Sequence, residues 1–120
     1  MSGEERFSFE NLMVYKKSLA YLDFVYDVTS KFPKNEQFGL CSQFQRAAQS
    51  IALNIGEGSG GSKPEFQQFI KIARRSVRES VVCASIAQRR KYITDQEENI
   101  SRNNCSEISR MLSGLLNSIR

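Results

Sequence analysis

A chain of 120 residues with 40% apolar and 25% charged side chains has the size of one domain and ordinary globular composition, which sets disorder aside except at the first residues. It contains no histidine, which removes the commonest general base, the commonest transition-metal ligand and the Ser-His and Cys-His nucleophile pairings. The net charge of +4 is uneven, with nine Lys and Arg against three Asp and Glu in residues 41–92, so a local basic field points to an anionic partner more than the total does.

Residues 1–8 read as a flexible N-terminal tail, and residues 9–120 as a single helical unit. The first helix is expected from about Glu10 to Lys31. Leu12, Tyr15, Leu19, Leu22 and Tyr26 recur at three-and-four spacing, the mark of one helix face, and Val25, Val28 and Phe32 widen it. Pro33 stops it, because proline disfavours helix in the residue before it. The second helix is expected from about Glu36 to Glu57, with Leu40, Phe44, Ala47, Ala48, Ile51 and Ile55 as its stripe. The small Ala47 and Ala48 allow another helix to approach closely. Gly56, Gly58, Gly60 and Gly61 are expected to end it, since glycine supplies the left-handed conformation common at helix C-termini.

The third helix opens on Ser62-Lys63-Pro64-Glu65, a capping box with proline in the first turn. It is expected to reach Tyr92, about 29 residues or roughly 43 Å. The fourth opens on a second capping box, Thr94-Asp95-Gln96-Glu97, and carries the stripe Ile108, Met111, Leu112, Leu115, Leu116 and Ile119. Its first half, Glu98 to Ser106, is polar and expected to fray or curve. Short connections make neighbouring helices antiparallel. The fold class is therefore all-α, an antiparallel up-down-up-down four-helix bundle.

At 100° per residue the third helix divides into three sectors. Phe66, Ile70, Ala73, Val77, Val81 and Ala84 form the core stripe. Lys71, Arg75, Arg78 and Arg89 form a basic sector, with Arg74 at its margin and Arg90 and Lys91 following. Arginine suits phosphate through its planar, multiply donating head, so these seven cations are the candidate nucleic-acid contacts. A solvated or salt-bridged face is the plain alternative. A third sector holds Phe69, Ile72, Ser76 and Cys83, with Ile86 nearby. A second apolar sector implies a second buried surface, read here as a subunit interface at Phe69, Ile72, Cys83 and Ile86; a wider intrachain core is the alternative.

Other chemistry is thinly represented. The stretch Gly56 to Lys63 follows a helix rather than a strand and does not match GxxxxGK[ST], so it is a turn and not a phosphate loop. Glu57, Glu65 and Glu79 lack the Glu-x-x-His pattern of bundle metal sites, and neither metal nor cofactor is expected. Cys41, Cys83 and Cys105 are odd in number and lack CxxC spacing, so they read as packing residues in a reducing compartment. No signal-like segment and no stretch near about 18 apolar residues is present. A cytoplasmic protein without membrane attachment is expected.

Three blocks carry a family pattern. The first is Phe9-x-x-Leu12 with Phe32-Pro33-x-x-Glu36-x-x-Gly39-Leu40. The second is Gln43-x-x-Arg46-Ala47-Ala48-x-Ser50-Ile51-x-x-Asn54-Ile55-x-Glu57-Gly58. The third is Glu65-Phe66-x-x-Phe69-x-x-Ile72-Ala73-x-x-Ser76-x-x-Glu79. Together they resemble the four-helix-bundle proteins encoded in intervening sequences of bacterial large-subunit ribosomal RNA genes, also labelled a ribosomal protein family. The resemblance spans roughly residues 9–119, and the block from Arg46 to Gly58 is its most specific part. Val14-Tyr15 departs from it where the family often carries Trp, and Arg89-Arg90-Lys91 is more basic than usual. The resemblance implies a ring-like homopentamer. It also implies likeness to the accessory variability proteins of diversity-generating retroelements, basic pentamers that associate with a reverse transcriptase and bind nucleic acid. It supplies no catalytic residue. The expected function is a non-enzymatic oligomeric scaffold associating with RNA or a nucleic-acid assembly. A module that docks a helical protein partner is the alternative.

Overall fold

The computed structural model describes residues 7–119. Of the expected tail, residues 1–6 lie outside the described residues, and Ser8 already belongs to a 3-10 turn over Ser8–Asn11. Four α-helices follow among the described residues: α1, Met13–Thr29; α2, Leu40–Ser59; α3, Lys63–Arg89; and α4, Asp95–Ser118. Both capping boxes form. The Ser62 hydroxyl accepts from the Glu65 amide while the Glu65 carboxylate accepts from the Ser62 amide, and Thr94 and Glu97 repeat the exchange.

Pairs of side chains fix the helix directions. Gln45 donates to Thr29 at 2.9 Å and Gln49 to the Tyr26 hydroxyl, so α2 runs back along α1. Ser76 donates to Ser50 at 2.8 Å, and Gly58 lies against Phe69, which aligns α3 with α2. Gln88 meets Asp95 while Arg74 meets Ser113, so α4 descends along α3. Each helix packs on its two sequence or cyclic neighbours, and α1–α3 and α2–α4 are diagonal pairs. The result is the expected up-down-up-down bundle. Phe44, Ile51, Ile55, Ile70, Ile108 and Leu112 fill its centre.

Several local expectations shift. Helix α1 starts at Met13 because Leu12 is extended, and the preceding 3-10 turn sets Phe9 edge-on to Tyr15, ring centroids 5.0 Å apart. Helix α2 starts at Leu40 instead of Glu36. Glu36 stays outside and receives the Leu40 amide at 3.2 Å and the Tyr92 hydroxyl at 2.9 Å. At its other end α2 runs through Gly56 and Gly58 to Ser59. These two glycines do not stop the helix; they admit Phe9 and α3 to close range. Helix α3 ends at Arg89 in a Schellman turn. Lys91 takes φ 64°, its amide bonds to the Gln88 carbonyl, and the Tyr92 amide bonds to the Ala87 carbonyl.

The inward face of α1 also differs from expectation. Val14, Ser18, Tyr21, Val25 and Val28 are buried, while Leu19 and Tyr26 are 39% and 41% exposed. The Tyr21 hydroxyl hydrogen-bonds Ser80 at 2.6 Å and Ser101 at 2.7 Å, tying α1 to α3 and α4. That contact explains why the polar first half of α4 is unbroken helix: its inward residues are the small Ser101 and Cys105, and Tyr21 fills the space they leave.

Candidate nucleic-acid interface

Residues three, four and seven apart share a helix face, so Lys71, Arg74, Arg75 and Arg78 converge on one side of α3. The side chains of Ser109 and Ser113 on α4 are four residues apart and face them. Together these six residues line a cleft of about 490 Å³. Among the described residues no carboxylate lines it. Arg74 is half-buried and donates to the Ser113 hydroxyl at 3.3 Å, which fixes its guanidinium at the cleft wall. Lys71, Arg75 and Arg78 are exposed.

Some cations elsewhere are paired. Lys17 pairs with Glu107 at 3.4 Å, Lys31 with Glu97 at 2.7 Å, and Arg102 with Glu98 at 2.9 Å. Lys31 and the capping amide hold the Glu97 carboxyl below its usual range. Among the described residues, none of the four cleft cations makes an ion pair, so the salt-bridged alternative does not describe them. Grouped like charges at a concave surface focus a positive potential.

The remaining basic candidates lie elsewhere. Arg89 is 14 residues beyond Arg75, roughly 21 Å along the helix. Arg89 and Lys91 border a different recess, shared with Lys31, Asp95 and Glu97, in which acids offset the cations. Arg90 is exposed beside them. The structure therefore separates the seven candidates into a four-cation cleft and a mixed-charge end. Ser109 and Ser113 are not evident from hydropathy, since they sit on another helix; their i, i+4 spacing on α4 is the only local sign.

The third sector of α3 turns mostly inward. Cys83 is 4% exposed within the single chain, and burial, then the nearby Glu79 charge, pushes its thiol up to about 11. Phe69 is half-buried against Gly58, Ile72 is half-buried, and Ser76 bonds Ser50. Cys83 is therefore enclosed within the single chain, while Phe69 and Ile72 keep part of their apolar surface uncovered. Ile86 stands apart at 42% exposed, close along the helix to Val82 at 56%.

A further uncovered apolar surface lies between α1 and α2. Phe9, Tyr15, Leu19, Leu22, Ala52 and Leu53 line a groove of about 460 Å³. These include the α1 residues whose spacing suggested a core stripe. Among the described residues no group of three His, Cys, Asp or Glu is placed to hold a metal, and no helix is long and apolar enough to cross a membrane.

One solved structure, described as a protein with unknown function from the S23 ribosomal protein family of Bacteroides thetaiotaomicron VPI-5482, superposes with a TM-score of 0.80. The alignment covers 87% of this chain and 95% of that one at 24% identity, a likeness of fold. No curated protein matches the chain. The model of the 23S rRNA-intervening sequence protein family matches residues 10–114, nearly the whole bundle, and the chain belongs to that family.

Proposed function

We propose that the protein is a non-enzymatic, oligomeric scaffold that associates with RNA through the α3–α4 cleft, within the cytoplasm. The observation that carries this reading is the gathering of four cations around one cleft, with no carboxylate lining it and no ion pair made by them among the described residues. Phosphate contacts of this kind set affinity without reading sequence. The cleft offers hydroxyls but no base beside them, which suits binding better than chemistry. Family membership adds an association of the gene family with ribosomal RNA.

Self-association draws support from the α1–α2 groove, an apolar surface that a second copy of the chain would cover. The resemblance carried by the sequence implies a ring of five, and a ring would repeat the basic cleft so that weak contacts gain avidity. The same groove supports the second reading, a module that docks a helical protein partner by its apolar face. Leu53→Asp separates the two in sedimentation: loss of the oligomer assigns the groove to self-association, and an intact oligomer leaves it for another protein.

The test of RNA association is a labelled structured RNA titrated across a salt series. Each phosphate contact contributes roughly −0.7 to −0.9 to the slope of log K against log salt. Lys71→Glu/Arg75→Glu/Arg78→Glu is expected to flatten that slope by about two to three while the helical signal persists. An unchanged slope removes these residues from the interface, and no binding at low salt overturns the proposal.

A further inference from the structure

Resting on the nucleic-acid reading of this cleft, we infer that Lys71, Arg74, Arg75, Arg78, Ser109 and Ser113 form a pocket for a terminal phosphate. Its ligand is a compact group with two or more negative charges, a phosphate monoester or polyphosphate, rather than the phosphodiester backbone of a long strand.

The extent of the cleft is the first ground. Its cations run from Lys71 to Arg78, about 10 Å of helix. On α3 the positive face then stops, and the groove beyond Arg78 and Ser109 reaches Arg102, which is paired with Glu98. Gln67 and Gln68 precede the positive face, and the exposed Val82 and Ile86 follow it. A groove that tracks a single strand continues its cations along the backbone and supplies aromatic platforms for the bases. This cleft does neither: no aromatic side chain lines it.

Charge is the second ground. A monoester carries about −1.5 to −2 at neutral pH and three acceptor oxygens. A diester carries one charge. Four cations with no carboxylate among them repel one another, and a dianion at their centre relieves that repulsion further than a monoanion does. The donors suit three oxygens: an ammonium, three guanidinium forks and two hydroxyls. The Arg74–Ser113 hydrogen bond of 3.3 Å already joins the two walls of the cleft.

The experiment compares two RNAs of one sequence, bearing a 5′-monophosphate or a 5′-hydroxyl, on the full-length protein at fixed salt. Pyrophosphate serves as competitor. The 5′-phosphate RNA is expected to bind about tenfold tighter, the worth of about one charge-assisted hydrogen bond, and pyrophosphate to displace it. Arg74→Gln brings the ratio of the two affinities towards one. Lys71→Gln, at an exposed position, does the same if Arg74→Gln does not fold. Equal affinities in the unaltered protein overturn the terminal-phosphate pocket and leave RNA association standing. Pyrophosphate binding that shifts the Ser109 and Ser113 amide resonances, without RNA binding, keeps the pocket, assigns it to a free nucleotide and sinks the RNA reading. No binding of any of the three overturns both.

Discussion

Replacing Gly58 by alanine tests how closely α2 and α3 are held. A Cβ at Gly58 would lie 2.5 Å from the Phe69 Cβ, 3.0 Å from the Phe66 Cδ1 and 3.2 Å from the Phe69 Cγ. Carbon atoms in contact prefer about 3.5–4.0 Å. The nearest atom is a Cβ, fixed to its backbone, so no rotamer of Phe69 relieves the overlap; the two helices must part by about 1 Å. Overpacking of a core costs about 1–3 kcal/mol, and an overlap this deep belongs at the upper end. Alanine returns about 1 kcal/mol through helix propensity. The net loss is about 2 kcal/mol, a fall in Tm of roughly 8 °C for a chain of this length.

Gly114→Ala is the matched control. Gly114 lies within α4 and is exposed, and nothing stands within 4 Å of its Cβ position. Only the propensity gain of about 1 kcal/mol applies there, so Tm is expected to rise. Thermal unfolding followed by circular dichroism at fixed protein concentration reads both variants. If Gly58→Ala melts at or above the unaltered protein, the spacing of α2 and α3 is not set by Phe69 and the reasoning fails.

Two further outcomes concern the core. Tyr21→Phe leaves the buried Ser80 and Ser101 hydroxyls without the partner they share; a loss of about 2 kcal/mol is expected from urea unfolding, and a loss below about 0.5 kcal/mol would show the network to be dispensable. Stability is also expected to fall at alkaline pH. The Cys83 thiol ionises at 9.0 when free and is pushed up to about 11 in the fold, so the unfolded chain gives up that proton first. The contribution of Cys83 is full below about pH 9 and is lost as pH rises through 11. Burial raises Tyr21 in the same direction. Urea midpoints measured from pH 8 to 11 under reducing conditions check this, and a flat profile would contradict the burial of Cys83.

Whatever depends on neighbours in the chain was legible in the sequence. The two capping boxes need only residues three apart, and both helix starts fell where expected. The stripe of α2 was legible because Phe44, Ala48, Ile51 and Ile55 are apolar and buried. Helix α1 misled because its inward face carries Ser18 and Tyr21, and the polar partners of Tyr21 lie 59 and 80 residues away. Hydropathy alone therefore put Leu19 and Tyr26 inside. Gly56 and Gly58 resembled a stop signal because their use is a close approach by another element. In the third sector of α3, Ser76 and Cys83 are enclosed within the chain and Ile86 is exposed. A bundle helix touches two others, so its apolar arc is broad without any second subunit.

The cation cluster was legible for the opposite reason, since all four members lie on one helix, and that placement has a cost. Lys71–Arg74, Lys71–Arg75, Arg74–Arg78 and Arg75–Arg78 are like-charge pairs at i, i+3 or i, i+4 spacing. Each destabilises a helix by about 0.2–0.5 kcal/mol at low salt, roughly 1–2 kcal/mol for the four. Packing does not require them, because Lys71, Arg75 and Arg78 are exposed and a neutral Gln has similar helix propensity. Lys71→Gln/Arg78→Gln removes every one of these pairs. The free protein is expected to become more stable by about 1 kcal/mol at low ionic strength, with the gain shrinking as salt screens the charges. RNA affinity is expected to fall in the same variant. A variant no more stable than the parent at low salt would mean that the cations do not oppose the fold. A gain in stability joined to a loss of binding would mean that the fold bears this repulsion and an anion relieves it.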